Sequence, residues 1–303
     1  MIAISVIIPF YKGNKYLEEL CQHLEKACIK FKEQIEVIIV NDSPDIDVNI
    51  ELIKSDYYKL SIINHKINRG IHQARVTGTK AAIGKYILFL DQDDELDESF
   101  FQSMFYELEN DTSIDFAFSN GIFEDENGVC KLILNSYGKV MAAMNYKSYL
   151  KVGNLLASPG QCLIRKKSIP KEWIQNIMKI NCADDLLLWI MILKNGKNVY
   201  VNKLLYHHIS TGENASSDKV NGYLSNLEMC EILEKTNLFS KQEVRKFKRK
   251  YANSYKKELN DCYNRFEWIG DTLSEKVERT KMKFAGIIFA MLGKKVVNIK
   301  EIG

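Results

Sequence analysis

The sequence predicts an α/β protein: a sheet that begins parallel, flanked by helices and followed by a helical extension. Three observations carry this. Short apolar, β-branched runs recur at residues 3–8, 35–40 and 85–90. Segments with helical spacing of apolar residues lie between them. A polar turn follows each run, where a strand of a parallel sheet hands over to the next element.

The first run, AISVII at 3–8, stops at Pro9 and reads as a buried strand. Asn14 is placed to cap a helix whose Leu17, Leu20, Cys21, Leu24 and Cys28 share one face. IEVIIV at 35–40 is a second strand, ended by the turn Asn41-Asp42-Ser43-Pro44. LSIIN at 60–64 is a third. Residues 71–82 read as a helix and KYILFL at 85–90 as a fourth strand.

Beyond residue 90 the pattern predicts a helix at 97–109 and a strand at 114–119. Asn127-Gly128 marks a hairpin between 121–125 and 129–134. A strand at 161–165 follows, then an apolar helix at 185–195 closed by Gly196, and a strand at 198–206. The polar stretch Ser210–Asp218 is the expected boundary between a domain over 1–216 and a basic extension over 217–303. That extension reads as helical throughout. Ser240-Lys241-Gln242-Glu243 forms a capping box in it. Phe247, Tyr251 and Tyr255 recur every fourth residue and are expected to pack inward on one face.

Composition narrows the classes. Of 303 residues, 46% are hydrophobic, 27% charged and 4 are Pro, which excludes disordered and low-complexity chains. Seven cysteines without a C-x-x-C pair signal neither a zinc site nor a disulfide framework and fit a reducing cytosol. The N-terminal run lacks a basic flank and a cleavage site, so it reads as a strand and not a signal peptide. No apolar run reaches the ~20 residues that span a bilayer. A cytoplasmic protein is therefore expected. Net charge is +3, but Lys219–Gly303 holds 18 basic and 11 acidic residues, +7, which leaves −4 on the rest. A basic segment on an acidic body expects an anionic partner, a nucleic acid or an anionic membrane face.

Ligands of open α/β sheets bind beyond the carboxyl ends of the strands. The residues there are Pro9-Phe10-Tyr11, Asn41-Asp42-Ser43, Asn68-Arg69-Gly70 and Asp91-Gln92-Asp93-Asp94. Three carboxylates in four residues repel one another unless a cation or solvent relieves them. Oxygen ligands suit Mg²⁺ or Mn²⁺, ions that complete their shell with water and substrate phosphates. The alternative is an acidic turn at a helix N-terminus. A second acidic pair, Asp184-Asp185, opens the apolar helix and is either an N-cap or a proton acceptor.

SVIIPFYKGNKYLEELC, EVIIVNDSPD and NRGIHQARVTGTKAAIGKYILFLDQDDEL resemble the N-terminal half of family 2 glycosyltransferases. These are inverting enzymes with a GT-A fold, a Rossmann-like mixed sheet, and they use nucleotide-diphosphate sugars. The motifs match in order and spacing over about residues 3–110, and more weakly to 216. The resemblance implies a role for each matched residue. Pro9 and Tyr11 would line the base and ribose pocket. Asp42 would accept a hydrogen bond from the base ring N–H, which favours uracil. Asn68 and Arg75 would belong to the nucleotide site, with Arg75 contacting the diphosphate or pairing with the acidic cluster. Asp91 would touch ribose or metal. Asp93 would be the principal metal ligand and Asp94 a lesser one.

Asp184-Asp185 followed by Leu188-Trp189 keeps the spacing of the family's Glu-Asp and Leu-Trp pairs, with Asp in place of Glu. The match makes Asp185 the catalytic base. Tyr206 to Ser216 resembles the family's closing segment, with His208 rather than His207 at the metal. Asp184, Gln161 and Trp189 would stand near the acceptor. The implied reaction is a single displacement with inversion, in which Mn²⁺ or Mg²⁺ neutralises the departing diphosphate. The implied partners are a nucleotide-diphospho-sugar, with UDP favoured as its nucleotide, and a saccharide or lipid-linked saccharide of the cell envelope. Lys281–Lys295 is an apolar decamer between lysines, too short to span a membrane and suited to its inner face. No nucleic-acid partner is expected.

Three rival readings meet specific obstacles. A haloacid-dehalogenase-type phosphatase would carry Thr or Val two residues after its second Asp, where this chain has Glu95. A GT-A-like nucleotidyltransferase would carry a Gly-rich N-terminal loop, and Pro9–Tyr16 holds one Gly. A degenerate scaffold has no need of the full set Asp42, Asp91, Asp93 and Asp185.

Overall fold

A computed structural model describes residues 1–211, 218–258, 265–268 and 273–297. Strands β1 (Ile2–Phe10), β2 (Gln34–Asn41), β3 (Lys59–Asn64) and β4 (Tyr86–Phe89) pair in parallel, in the order β3-β2-β1-β4. Helices α1 (Leu17–Ile29) and α2 (Ile71–Ala81) lie among them in sequence. The register runs from Ile4 opposite Ile35 to Phe10 opposite Asn41, and on to Asn41 opposite Asn64. The carboxyl ends of β1, β2 and β3 therefore finish level at one edge.

The sheet then turns mixed. A two-residue strand β5 (Glu95–Leu96) precedes α3 (Phe100–Asn110), β6 (Phe116–Glu124) and β7 (Cys130–Leu132). After α4 (Tyr137–Ala143) and α5 (Tyr146–Val152) come β8 (Cys162–Arg165), α6 (Lys171–Gln175), α7 (Asp184–Asn195) and β9 (Asn198–Ile209). The order continues β4-β8-β6-β9-β5, with β7 on β6. Strand β8 is antiparallel to β4 and β6, β9 is parallel to β6, and β5 is antiparallel to β9. The extension adds α8 (Lys219–Lys235), α9 (Lys241–Ser254), β10 (Tyr255–Glu258), β11 (Arg265–Trp268) and α10 (Leu273–Met291).

Alternation along the strands divides the core. Ile4, Val6, Ile8 and Leu88 face a layer with α1 and α3 residues. Ile7, Ile38, Val40 and Phe89 face the other, with α7 and the first two helices of the extension. Helix α7 is apolar on every side because Leu186 to Leu193 are all buried there. Phe247 and Tyr251 of α9 close that layer.

Several expectations are corrected. Asn14 caps no helix: its amide donates to the Asp47 carbonyl at 2.9 Å and accepts from Asn49 N at 2.9 Å, tying a distant loop. The segments at 114–119 and 121–125 are one strand, β6. Asn120 keeps it continuous by bonding both N and O of Leu134, each at 2.9 Å. Gly196 does close α7, as expected, but at φ −84 it does so for space: a Cβ there would lie 2.4 Å from the Ile192 carbonyl oxygen. The extension is not helical throughout, because β10 and β11 form an antiparallel pair. Tyr255 opens β10 and so leaves the helical stripe. The capping box is present, with Ser240 N donating to Glu243 Oε2 at 2.9 Å and Glu243 N to Ser240 Oγ at 3.2 Å. Residues 212–217, where the boundary was expected, lie outside the described residues.

Candidate active site

The level strand ends are stitched together by side chains. Asp42, buried after β2, accepts from Arg69 N at 2.8 Å and His65 Nδ1 at 2.7 Å through Oδ1, and from Gly70 N at 2.8 Å through Oδ2. Asp42 thus shapes the Asn68-Arg69-Gly70 loop that leads into α2. Asn68 is exposed, and its Oδ1 accepts from Gly70 N at 3.2 Å. Pro9 is buried near the end of β1, while Tyr11 stands half exposed beyond it. Gln92 clasps the Tyr11 backbone both ways: Tyr11 N donates to its Oε1 at 3.0 Å and its Nε2 donates to Tyr11 O at 3.1 Å.

Arg75, one turn into α2, joins the two acidic motifs. Its guanidinium donates to Asp184 Oδ2 at 2.6 Å and to Asp91 Oδ1 at 2.6 Å. Only 3% of Arg75 is exposed. Burial disfavours its charge, but Asp184, Asp91 and Asp185 together outweigh burial and hold it firmly protonated. Asp91 also accepts from Ser158 Oγ at 3.2 Å, so both its oxygens are engaged.

The next acids behave differently. Among the described residues, no other residue hydrogen-bonds to the Asp93 side chain. Burial, with Asp94 and Asp91 nearby, pushes its carboxyl up to about 7. Asp94 is buried and holds the end of β9, accepting from Tyr206 OH and standing 2.9 Å from His208 Nδ1. Burial raises its pKa against those contacts. Alternation on β9 separates the two histidines. His208 faces Asp94, while His207 places Nδ1 2.9 Å from Glu95 and Nε2 2.9 Å from Glu124. Burial works against charge on His208, but Asp94, Asp91 and Asp93 overcome it and raise its pKa.

Asp185 sits in the first turn of α7 beside Asp184. Burial and the Asp184 charge raise its carboxyl, opposed by Arg75, Leu186 N and Asn154. Asn154 Nδ2 donates to Asp185 Oδ2 at 2.5 Å. Asp184, by contrast, is closed off by Arg75, and its carbonyl accepts from Trp173 Nε1 at 2.9 Å. Gln161 and Trp189 are fully buried. The Gln161 amide braces Ala157 N at 2.6 Å and Ser119 O at 3.1 Å, and Trp189 packs on Phe116 with ring centroids 5.7 Å apart. Both lie behind the site as struts, where they can support an acceptor pocket without touching the acceptor themselves. The sequence reading missed Ser158 and Asn154 as partners of Asp91 and Asp185, and His65 as a partner of Asp42. Ser158 was visible as the N-cap of a Pro-Gly turn; Asn154 and His65 carry no local signature.

Asp93 offers a carboxylate that no other described residue bonds, and burial is the first cause of its raised pKa. Asp94 stands against His208 Nδ1, the carboxylate–histidine arrangement that orients a metal ligand. Among the described residues, the groups of acids, Cys and His whose ligand atoms lie within 4.8 Å of one another are Glu124, Cys130 and His207, and Glu19, His23 and Glu95, so the Asp93–His208 set is not drawn together as a closed metal cage.

The model of the family described as "Glycosyl transferase family 2" matches residues 5–173. The chain belongs to that family. The "Uncharacterized glycosyltransferase EpsJ" of Bacillus subtilis is 36% identical over 110 residues, 35% of this chain and 30% of EpsJ. The match to the minor teichoic acid biosynthesis protein GgaB of the same species covers 11% of that protein, so the chain spans under a third of either relative. A Campylobacter jejuni GalNAc(5)-diNAcBac-PP-undecaprenol beta-1,3-glucosyltransferase is 22% identical over 267 residues, 84% of this chain and 81% of that enzyme. Among solved structures, S. aureus TarS 1-349 in complex with UDP superposes with a TM-score of 0.59 at 18% identity, covering 83% of this chain and 71% of that fragment. The TarS complex with UDP-GlcNAc matches with the same TM-score. The fold is that of GT-A glycosyltransferases.

Proposed function

We propose that this glycosyltransferase moves a sugar from a UDP-sugar to a hydroxyl of a saccharide, carried on a lipid, with inversion at the anomeric carbon. The observation that carries the reading is the division made by Arg75. It neutralises Asp91 and Asp184 and leaves their neighbours Asp93 and Asp185 with raised proton affinity, one suited to a cation and one to a proton.

Pro9 and Tyr11 would hold the nucleoside, and Tyr11 offers an exposed π-face for the base. Asp42 has one lone-pair direction left on Oδ2, which would accept a base N–H. Asn68 stands on the same rim, and Arg75 adds fixed positive charge behind Asp91. Asp93 and His208 would hold Mn²⁺ or Mg²⁺, which supplies charge neutralisation at the leaving diphosphate, while Asp91, engaged by Arg75 and Ser158, would serve the site from behind them. Asp185 would take the proton from the acceptor hydroxyl as that oxygen attacks. Its raised pKa brings it towards the operating range of a general base, and Asn154 fixes its orientation. The bound UDP and UDP-GlcNAc of TarS and the undecaprenol-linked substrate named for the C. jejuni relative support the donor and acceptor classes. A lipid-linked acceptor would bring the enzyme to the inner face of the cell membrane as a peripheral protein.

Thermal melting with UDP, GDP, dTDP and CDP, each with and without Mn²⁺, tests the donor half. A ligand bound only by the folded state raises the melting temperature. The expected result is a shift with UDP that requires Mn²⁺ and disappears in Asp93→Asn. No shift with any nucleotide would overturn the reading.

A further inference from the structure

Helix α10 is docked and yet apolar on its outer side. Gly138 of α4 meets it backbone to backbone: a Cβ there would lie 1.9 Å from Met282 O and 2.7 Å from Gly286 N. Glu275, Met282 and Gly286 are buried on that inner face. Phe289 lies against Tyr137, with centroids 5.1 Å apart, and Lys151 pairs with Glu278 at 2.9 Å. The orientation of α10 is thereby set by its own contacts.

The opposite side carries Leu273, Val277, Phe284, Ile288 and Met291, each between 46% and 81% exposed. At 100° per residue they fall on one stripe, and exposed Ile287 and Leu292 widen it at its C-terminal end. Cations border the stripe, with Lys281 on one side and Lys276 and Lys283 on the other; Lys294 and Lys295 follow the helix. An isolated exposed apolar side chain is ordinary, but a continuous row on a rigid helix marks a contact surface.

We infer that α10 is a membrane-docking helix, lying flat on an anionic bilayer with this stripe in the acyl boundary and its lysines among the headgroups. The charge pattern selects the occupant. Anionic headgroups complement the flanking lysines, whereas a second copy packed stripe to stripe would bring like-charged rows together. No helix among the described residues is long and apolar enough to cross a membrane, so the geometry is in-plane. The purpose of the docking, access to a lipid-borne acceptor, rests on the proposed function; its geometry does not.

Co-sedimentation of the full chain with vesicles of phosphatidylcholine alone, or with about a third phosphatidylglycerol, tests this. Wild type should bind the anionic vesicles and lose binding in high salt. Phe284→Glu with Ile288→Glu, both on the exposed side, should lower binding about tenfold or more while leaving the melting temperature in place. Lys281→Glu with Lys283→Glu should lower binding only to the anionic vesicles. Equal binding by wild type and the glutamate variant, or no binding by wild type, would overturn the inference. So would a wild-type dimer in sedimentation velocity that Phe284→Glu dissociates, since a second copy would then cover the stripe. UDP melting shifts on the same samples separate this outcome from the glycosyl-transfer reading: docking can fail while the UDP shift stands, and the reverse.

Discussion

The two acidic motifs, one after β4 and one at the start of α7, are built to a common plan. In each, Arg75 grips one carboxylate and leaves the neighbour ungripped. Asp91 and Asp184 each bond the buried guanidinium at 2.6 Å, while burial raises the pKa of Asp93 and Asp185. The difference separates acids that a buried cation answers from acids that it leaves unanswered. A residue's type and spacing do not tell these apart; the partner that reaches it does.

The largest effect should come from removing the ungripped members. Asp185→Asn should lower turnover about 10²–10⁴-fold with the fold intact, the usual worth of a general base, measured by sugar transfer from the UDP-sugar that binds. Asp93→Asn should abolish the metal-dependent part of UDP binding. Breaking the grip should act on stability. Arg75→Leu strips the buried Asp184 and the half-buried Asp91 of their cation and should cost about 3–5 kcal/mol in urea unfolding. If Arg75→Leu were as stable as wild type, the division of labour between the paired acids would be wrong.

A pH series sharpens the same contrast. Asp93 binds its proton more tightly when folded than when unfolded, from an ordinary value of 3.8 to about 7. Its contribution to stability therefore falls as pH rises from about 4 to about 7 and is flat above that. The metal-free melting temperature of wild type should drop relative to Asp93→Asn across that window, and Mn²⁺ should restore it above pH 7. Cation affinity should rise through the same window, because cation and proton compete for one carboxylate. The smallest effect is expected from Asn154→Ala. It removes a donor that favours the charged form of Asp185, so the acid limb of the kcat profile should move to higher pH by a fraction of a unit, with KM for the donor unchanged.

Much of this was legible in the sequence where interactions are local. β1, β2 and β4 announced themselves as buried apolar runs, and the capping box at Ser240 needs only residues three apart. What escaped depends on long-range partners. Asn120 reads as a strand breaker until Leu134 bonds it, and Asn14 reads as a helix cap until Asp47 and Asn49 arrive. Gln161 gives no local sign of its burial, which depends on Ser119, 42 residues away on β6. In the extension, periodicity marked Phe247 and Tyr251 as core. The turn into β10 at Tyr255 lies in a strongly charged segment where neither period dominates.

The clasp between Gln92 and the Tyr11 backbone has a thermodynamic consequence. It fastens the loop after β1 to the loop that carries Asp91, Asp93 and Asp94, so neither can settle without the other feeling it. Ligands seated on the two loops are then linked, and linkage is reciprocal. Whatever factor a cation adds to nucleoside affinity, the nucleoside must return to the cation, and Gln92→Ala should shrink both factors together.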